Sequence, residues 1–471
     1  MDIPFLKYRK GVFLNTMEKV NILDISDIKI DIPKDVEYII EEFEKNGFEA
    51  FAVGGCIRDS ILGRIPNDWD ITTDAPPDKI SSIFEKTVDT GIEHGTVTVI
   101  IDRKCYEVTT YRIDGEYSDG RHPDSVEFSK NIEDDLKRRD FTINAMAYNY
   151  KKGLVDISGG IEDLNKGIIR CVGNPYKRFE EDALRMMRAI RFSAQLGFEI
   201  ETDTKDAIKK LSSSIECISK ERINTEFVKL IMSDASQIYT LGECNLLTYI
   251  IEEIEKLKDV KDFRGLDLYR KSVEMCRLCE GGAAEKMAAL MWTYYICTNN
   301  KERKIEDIMK ALRFDNKTVE KSSYIINYGA RNIYIDKVDI KKHLNRFGNA
   351  EKFNEYLYVR EAEMKAELEL IKDMQFSHVI EIIDAFDNEG LYVISEIRKI
   401  IDDIKEKGEC FKVSELEITG KDIIKMGIKP GKQIGMILEE ILKKVIKNPE
   451  MNRKDTLLKE AENFVKFQKY V

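Results

Sequence analysis

The hydrophobic and polar positions of the first 165 residues alternate between a helical and a strand-like period. Apolar residues at 36, 39, 40 and 43 recur with the spacing of an amphipathic helix, whereas the later apolar runs are short and rich in β-branched residues. The predicted elements are, in chain order, a helix from Pro33 ended by Gly47, a strand at 51–53, a short helix after Pro77, strands at 96–101 and 105–111, and an acidic helix at 132–136. The glycine- and aspartate-rich segment 112–126 is predicted to be a mobile loop.

Strand signals nearly vanish after Gly173. The pattern predicts one long helix from Pro175 to Gln195, ended by Gly197, and further helices from Thr204 and Lys220. Long helices at 351–374 and 434–446 dominate the second half. The predicted fold class is therefore α+β, with a small head followed by a long all-helical arm.

Composition restricts the class of protein. At 471 residues the chain is long enough for two to four domains, and no apolar run approaches the roughly 18 residues of a membrane helix. The N-terminus has no apolar signal segment, and nine cysteines without paired spacing fit a reducing compartment, so we expect a cytoplasmic protein with no membrane partner. The lone Cys276–Cys279 pair is interpreted as buried thiols rather than a metal site. Only four histidines argue against a histidine-rich metallohydrolase.

The net charge of −11 would ordinarily disfavour nucleic acid as a partner. The last 51 residues, however, contain 12 basic and 7 acidic residues, a local charge of +5. This basic end leaves a nucleic-acid partner open.

Two aspartates are the first candidate chemistry. The alternation around Asp68 and Asp70 predicts a strand with both carboxylates on one face, where their repulsion would favour a divalent cation. Glu107, in the strand at 105–111, is a third candidate carboxylate of the kind that two-metal phosphoryl transfer uses. By itself such a pair is more often a solvated acidic face.

A glycine turn just before the aspartates changes that balance. Gly54 and Gly55 follow an apolar strand, and Arg58 follows them in a helix. Backbone N–H groups of such a turn, together with an arginine, can hold a phosphate. Metal and phosphate together indicate nucleotide chemistry.

A second cluster spans residues 138–145. Arg139 could bind triphosphate oxygens as a fork, and Asn144 could orient a sugar. The alternative is a helix-to-strand junction whose arginine pairs with Asp134 or Asp135. From these residues alone the two interpretations are equally good.

A third cluster repeats at steps of three along the predicted long helix. It consists of Asp182, Arg185, Arg188 and Arg191 on one ridge, with Leu184, Met187 and Ile190 available for packing. The members could be surface ion pairs of little consequence. A rigid carboxylate acceptor and guanidinium donor could also read the Watson–Crick edge of a base.

These motifs, taken together and in order, resemble the class II tRNA nucleotidyltransferases (CCA-adding enzymes) and the related bacterial poly(A) polymerases. The resemblance covers about 175 residues and recurs weakly in the tail. Its motifs are Gly54-Gly55-x-x-Arg58-Asp59, Asp68-x-Asp70, the segment 138–145, Asp156-x-x-Gly159-Gly160, Glu181-Asp182-x-x-Arg185 and Glu221-Arg222-x-x-x-Glu226.

The resemblance implies roles for the matching residues. Asp68 and Asp70 would hold Mg²⁺ and, with Glu107 as the third carboxylate, form the catalytic set. ATP or CTP would be bound by Gly55, Arg58, Arg139, Asp182, Arg185, Arg188 and Arg191, of which Asp182 and Arg185 would recognise the base. The implied reaction is two-metal nucleotidyl transfer, in which the tRNA 3′ hydroxyl attacks the α-phosphate and pyrophosphate is released.

The resemblance also implies an organisation into a head with a small mixed β-sheet, a neck, a body and a tail. We expect the boundaries to be an extension at 1–32, the nucleotidyltransferase head at 33–165, a base-recognising neck at 166–264, a body at 265–410 and a tRNA-binding tail at 411–471. The expected partner is the 3′ end or acceptor arm of tRNA. No protein partner is implied, and a monomer or homodimer is expected.

Alternatives within and beyond the family stay open. CC-only enzymes are thought to lack the loop at 112–126, which is present, so full CCA addition or addition of A to tRNA ending in CC remains. A glycine-basic signature typical of the poly(A) polymerases is absent. A non-catalytic RNA-binding relative would have lost Asp68, Asp70 or Glu107, and a synthetase of nucleotide second messengers would not need the helical arm.

Overall fold

The computed structural model describes residues 28–91, 95–115, 125–298, 303–373 and 380–468, with the side chains of 380–389 and 465–468 left out. Contacts along the chain divide it into two compact units. The first comprises residues up to 222 together with 243–246, and the second comprises 223–242 and 247–471.

The first unit is built around a sheet. Its strands are β1 Ala50–Val53, β2 Asp70–Thr73, β3 Thr87–Gly91, β4 Thr96–Ile101, β5 Lys104–Thr110, β6 Arg112–Asp114, β7 Val126–Phe128, β8 Met146–Asn149, β9 Gly153–Asp156, β10 Ile168–Ile169 and β11 Glu199–Ile200. Its helices are α1 Lys34–Lys45, α2 Gly55–Ile61, α3 Pro77–Ile83, α4 Ile132–Lys137, α5 Gly160–Lys166, α6 Pro175–Glu181, α7 Leu184–Leu196 and α8 Thr202–Leu211. The main sheet has the order β3-β4-β5-β2-β1-β8-β9.

This sheet is mixed, as expected. Strands β2 and β5 pair in parallel, and their neighbours pair antiparallel. Phe51, Val53 and Ala147 pack with Tyr111 and Leu136 into an apolar cluster on the sheet. The cluster fixes β1, which leads directly into the glycine turn.

Helix α1 confirms its sequence pattern, since the apolar residues at 36, 39, 40 and 43 are the buried ones and Gly47 follows with φ of +83°. Two predictions were wrong. The segment 112–126 is not loop throughout, because Arg112–Asp114 pairs with Val126–Phe128 as β6 and β7; the part at 116–124 lies outside the described residues. The helix predicted from Pro175 to Gln195 is two helices, α6 and α7, broken at Asp182. Strands β3, β9, β10 and β11 were not predicted.

The second unit is helical in its described part. Helix α9 Lys220–Asp234 starts at the end of the first unit, and α10 Ile238–Glu243 ends there. The following helices are α11 Leu247–Ile250, α12 Glu252–Glu255, α13 Leu268–Leu278, α14 Ala283–Cys297, α15 Ile305–Ala311, α16 Asn316–Tyr328, α17 Lys337–Phe347, α18 Ala350–Asp373, α19 Ile380–Glu406, α20 Gly420–Lys425, α21 Lys432–Lys447 and α22 Lys454–Gln468. The fold class, an α+β head followed by helices, is confirmed.

Two cores hold the second unit. Helices α13, α14 and α18 pack together, and the buried Lys271 on α13 pairs with Glu363 and Glu367 on α18 at 3.3 and 2.5 Å. Ile423, Ile437 and other apolar residues from 410 to 461 form a separate core in the last helices. No helix of the described residues is long and apolar enough to span a membrane.

The thiols follow the sequence expectation. Cys276 and Cys279 are buried and unbonded, and burial raises the pKa of the first to about 12 and of the second to about 11.

Candidate active site

The glycine turn joins strand β1 to helix α2. Gly54 has φ of +88°, in the left-handed region that favours glycine, and its N–H donates to the Met146 carbonyl at 3.0 Å. A Cβ atom at Gly54 would lie 3.0 Å from Nη1 of Arg139. Glycine therefore allows the turn to approach an arginine of the second sequence cluster.

Arg58, on helix α2, is a buried side chain with internal partners. It is 4% exposed, and its Nη1 donates to Asn144 Oδ1 at 2.6 Å while its Nε donates to Asp59 at 2.9 Å. Its guanidinium also lies 5.1 Å from the centre of the Phe192 ring. Arg58 thus holds Asn144 in place.

The aspartate pair lies beside this turn. Asp70 is the first residue of β2 and is paired with Val53, the residue before Gly54. Asp68 is exposed and precedes the strand instead of forming part of it, so the alternation that predicted a strand from Asp68 was wrong. The strand is shorter because Asp70 is the first residue with a partner in β1.

Glu107 lies on the neighbouring strand in register with Asp70. Ile71 pairs with Val108 in the parallel β2–β5 ladder, and Asp70 and Glu107 each precede one of these residues. Burial raises the pKa of Asp70; Arg139 opposes this rise, and the negative charges of Glu107 and Asp68 add to it. Three negative side chains therefore act on one another at this edge.

The acidic edge offers few protein ligands to a divalent cation. Among the described residues, no group of three or more His, Cys, Asp or Glu side chains is gathered as a metal site. Magnesium is commonly bound by one or two carboxylates together with water and substrate phosphates, which is what Asp68 and Asp70 can supply. Burial, with a smaller contribution from the charges of Glu107 and Asp68, raises the Asp70 pKa, and a bound cation would favour the charged carboxylate.

The second cluster, at residues 138–145, joins helix α4 to strand β8 and also carries two arginines. Arg138 and Arg139 pair with the buried Asp135 at 2.5 and 3.1 Å, as one of the two sequence interpretations had it, and Asp134 bonds to Ser129 instead. Although burial would raise the pKa of Asp135, the two arginines hold it below its usual value. One carboxylate thus orients two arginines.

Asp140 ties the second cluster to the third. Its Oδ2 accepts two hydrogen bonds from Arg188 at 2.9 and 2.6 Å, and its Oδ1 accepts from Asn144 at 3.2 Å. Burial would raise the Asp140 pKa, but the paired Arg188 and the Asn144 hydrogen bond hold it at about 2. Arg188 is thereby fixed to the turn that also holds Arg58.

The helix break at Asp182 has a side-chain cause. Asp182 is extended, with φ of −149°, and its Oδ1 accepts from the Leu184 N–H at 3.0 Å at the start of α7. Arg222, 40 residues later, donates to both carboxylate oxygens at 3.3 and 2.7 Å. Sequence reasoning did not find Arg222 as part of the site, because no local pattern reports a partner so far along the chain.

Arg185 and Arg191 differ in their surroundings. Arg185 donates to the Arg178 carbonyl at 3.1 Å and to Glu181, which places its guanidinium beside the helix break. Arg191 is 7% exposed, lies over the Phe192 ring at 3.5 Å and donates to Gln195. The side chains predicted to form one ridge therefore differ in burial, and the ridge ends in the core at Arg191.

A pocket of about 270 Å³ collects these side chains. It is lined by Arg138, Arg139, Asp140, Asp182, Leu184, Arg185, Arg188 and Arg222. Four of the seven residues predicted to bind nucleotide line it, namely Arg139, Asp182, Arg185 and Arg188, whereas Gly55, Arg58 and Arg191 do not. Five arginines and two aspartates in one small pocket suit a polyanion that carries hydrogen-bonding groups.

A mixed-sheet head with a glycine turn, an acidic strand edge and an arginine-lined pocket defines a nucleotidyltransferase. Family models agree with this class. Residues 50–170 match the "Poly A polymerase head domain", 197–258 the "Probable RNA and SrmB- binding site of polymerase A", and 285–461 the "tRNA nucleotidyltransferase domain 2".

Individual relatives identify the family more narrowly than the domain models do. The CCA-adding enzyme of Ligilactobacillus salivarius is 34% identical over 91% of this chain and 95% of that enzyme. The CCA-adding enzyme of Leuconostoc mesenteroides is 50% identical over 44% of this chain and 52% of that enzyme. The crystal structure of the Bacillus stearothermophilus CCA-adding enzyme in complex with CTP is 29% identical, covers 93% of this chain and 98% of that one, and has a TM-score of 0.72. The chain belongs to the CCA-adding enzyme family of tRNA nucleotidyltransferases.

Proposed function

We propose that this chain adds CCA to the 3′ end of tRNA without a template, with CTP and ATP as substrates and pyrophosphate as the product. The observation that carries the proposal is the pocket in which Asp182 and Arg185 lie among further arginines. Relatives that span nearly the whole chain are named CCA-adding enzymes.

The pocket contains the hydrogen-bonding groups that two of the four bases need. Cytosine and adenine both present an amino donor beside a ring-nitrogen acceptor on the Watson–Crick edge. A carboxylate accepts from the amino group and a guanidinium donates to the ring nitrogen, so Asp182 and Arg185 match both bases. Uracil and guanine present a carbonyl and an N–H at these positions, and the same pair would oppose them.

The remaining arginines are proposed to bind the triphosphate. Arg139 and Arg188 line the pocket, and each is oriented by a buried aspartate, Asp135 and Asp140 respectively. Guanidinium groups that are already held in one orientation lose little side-chain entropy when they bind phosphate oxygens. Gly55 and Arg58 remain proposed triphosphate ligands at the turn, and Arg191 completes the nucleotide site from the core side.

The acidic edge is proposed as the catalytic centre. Asp68 and Asp70 would hold Mg²⁺, with Glu107 as the third carboxylate beside Asp70. When bound, the cation supplies activation of a hydroxyl and stabilisation of the charge that develops on phosphate oxygens. The charge of Arg139 opposes the rise in the Asp70 pKa, so one arginine of the proposed nucleotide pocket lies near the carboxylates.

The reaction is a displacement at the α-phosphorus. The 3′ oxygen of tRNA loses its proton and forms a bond to the α-phosphorus, while the bond to the bridging oxygen of pyrophosphate breaks. The residues of this chain orient both reactants: Asp182 and Arg185 fix the base, and the arginines fix the phosphates.

The acceptor is proposed to be tRNA, held by the helical part of the chain. We propose the head at 33–165, the neck at 166–264, the body at 265–410 and the basic tail at 411–471 as the functional divisions. A cytoplasmic location follows from the same proposal.

The test uses three tRNA transcripts that end before CCA, after the first C, and after the second C. Each is incubated with the full chain, Mg²⁺ and labelled CTP or ATP, and the products are resolved at single-nucleotide length. We expect two C residues and one A on the first transcript, then a stop. Incorporation of A alone, on the transcript ending in CC, would assign an A-adding enzyme, and no incorporation on any transcript would overturn the proposal.

A further inference from the structure

Phe263 is the most exposed large hydrophobic side chain of the described residues. It is 96% exposed, in the loop between α12 and α13 of the second unit. A phenylalanine in this position forgoes the burial that normally stabilises its ring. Single exposed apolar residues are common, so exposure alone indicates nothing.

The loop that carries Phe263 is, however, closely hydrogen-bonded. Asp262 Oδ1 accepts from the backbone N–H of Arg264 at 2.8 Å and of Leu266 at 3.0 Å. The Asp262 N–H donates to the Leu266 carbonyl at 3.0 Å, and the Gly265 N–H donates to the Asp262 carbonyl at 2.9 Å. Phe263 is therefore displayed at the tip of a closed turn and not on a loose segment.

A chain of ion pairs anchors this turn to the helices beneath it. Arg264 donates to both Glu367 oxygens at 2.9 and 2.8 Å and also to Asp262 at 2.9 Å. Glu367 is held in turn by the buried Lys271 at 2.5 Å. Burial would raise the Glu367 pKa, but Arg264 and Lys271 lower it to about 2, so the anchor stays charged at neutral pH.

One cation lies beside the ring, and a second lies two residues before it in the chain. The Arg264 guanidinium lies 5.5 Å from the centre of the Phe263 ring. Lys261 is exposed and has no acidic partner within the described ranges, while the nearby Asp262 is occupied by Arg264 and by the turn. An exposed aromatic face beside free positive charge is the arrangement that binds an unstacked base and its phosphate.

We propose that Phe263 stacks on an unpaired nucleobase of the tRNA substrate, with Lys261 against the adjacent phosphate. The inference rests on the proposed function for the identity of the RNA. A base is favoured over an apolar protein surface because Lys261, two residues before the ring, has no acidic partner in the described part of the chain. The ring is also far more exposed than its apolar neighbours in the loop, Val260 at 38% and Leu266 at 2%, so it offers a single ring face and no apolar patch.

The experiment measures tRNA affinity and turnover separately. Wild-type protein and the variants Phe263→Ala, Phe263→Leu and Phe263→Tyr are compared in equilibrium binding to a tRNA transcript and in the KM for tRNA and for CTP. Met232→Ala, another exposed apolar side chain of the second unit at 47%, is the matched control. Circular dichroism melts establish that each variant is folded, which we expect because the ring supports no core.

We expect Phe263→Ala to weaken tRNA binding and raise the tRNA KM by about tenfold, with the CTP KM and kcat unchanged. Phe263→Tyr should bind as wild type does, and Phe263→Leu should resemble the alanine variant because it offers no ring face. Met232→Ala should bind normally.

Unchanged tRNA binding by Phe263→Ala would overturn the inference, and so would full tRNA binding by Phe263→Leu. A change from dimer to monomer in Phe263→Ala, measured by light scattering, would also overturn it, because a second copy of the chain would then cover the ring. If the wild-type protein adds no nucleotide to any tRNA, the proposed function fails. The equilibrium binding of wild type and Phe263→Ala to tRNA still decides the stacking contact in that case.

Discussion

Replacing Asp182 by alanine tests base recognition at the residue that breaks the helix. The substitution removes the acceptor proposed for the amino group of cytosine or adenine. It also removes two internal contacts, the hydrogen bond from the Leu184 N–H at 3.0 Å and the pair with Arg222 at 2.7 Å. The effect on selectivity must therefore be separated from the effect on stability.

Both effects have a definite size. A bidentate base contact discriminates by about 1–3 kcal/mol, so the preference for CTP over UTP should fall roughly 5- to 150-fold. Loss of one intramolecular hydrogen bond costs about 1 kcal/mol, and a partly exposed ion pair contributes at most about 1 kcal/mol. Asp182→Ala should therefore remain folded, with a free energy of unfolding lower by roughly 1–2 kcal/mol.

The assay is single-turnover incorporation of CTP and of UTP on tRNA that ends before CCA. Glu180→Ala, which removes an exposed carboxylate two residues away on α6, is the matched control and should keep the wild-type ratio. Urea unfolding measures the stability of each variant. A wild-type CTP to UTP ratio in Asp182→Ala, or an equal loss with both nucleotides, would refute base reading by this residue.

Three further variants test other parts of the site. Asp70→Asn should reduce incorporation by about a thousandfold while tRNA binding persists, because the charge that would hold the cation is gone; retained turnover would contradict the role. The Asp140 pKa of about 2 lies below the usual 3.8, so its stabilisation is present above about pH 4 and lost toward pH 2. Melting temperatures of Asp140→Asn should therefore vary less over that window than those of wild type, and identical profiles would refute this. Gly160→Ala would place a Cβ 2.4 Å from the Thr142 carbonyl oxygen and should lower the free energy of unfolding by about 1–3 kcal/mol. Urea unfolding measures this as a lower midpoint, and an unchanged midpoint would contradict the close packing.

Local patterns predicted the parts of the fold that local physics decides. The helical period and Gly47 predicted α1, and the β-branched run predicted β4 with the bounds Thr96–Ile101 that the structure has. The glycine pair predicted a turn, and Gly54 indeed has a left-handed φ that joins β1 to α2. In each case the residues that carry the signal lie within a dozen positions of one another.

The rest depends on contacts between distant parts of the chain. Asp182 looked like a position inside one helix, because the helical period continues through it, but its carboxylate accepts from the Leu184 N–H and binds Arg222. Arg188 was expected on an open ridge, and its pairing with Asp140, 48 residues earlier, could not be read from spacing. Such pairs appear only when the fold brings the elements together.

The start of strand β2 likewise depends on a contact that the sequence pattern does not report. Asp68 alternates with Asp70 in the sequence, yet β2 begins at Asp70 because its partner β1 ends at Val53 and turns away at Gly54. Strand length is set by the neighbouring strand as much as by the alternation of the strand itself.

The most direct measurement of the central claim is a crystal structure of the protein with CTP and, separately, with ATP. We predict that in both complexes the base amino group lies within hydrogen-bond distance of an Asp182 carboxylate oxygen and that Arg185 donates to the adjacent ring nitrogen. The triphosphate should then contact Arg139 or Arg188. A base bound away from Asp182 and Arg185, or cytosine and adenine read by different residues, would contradict the account.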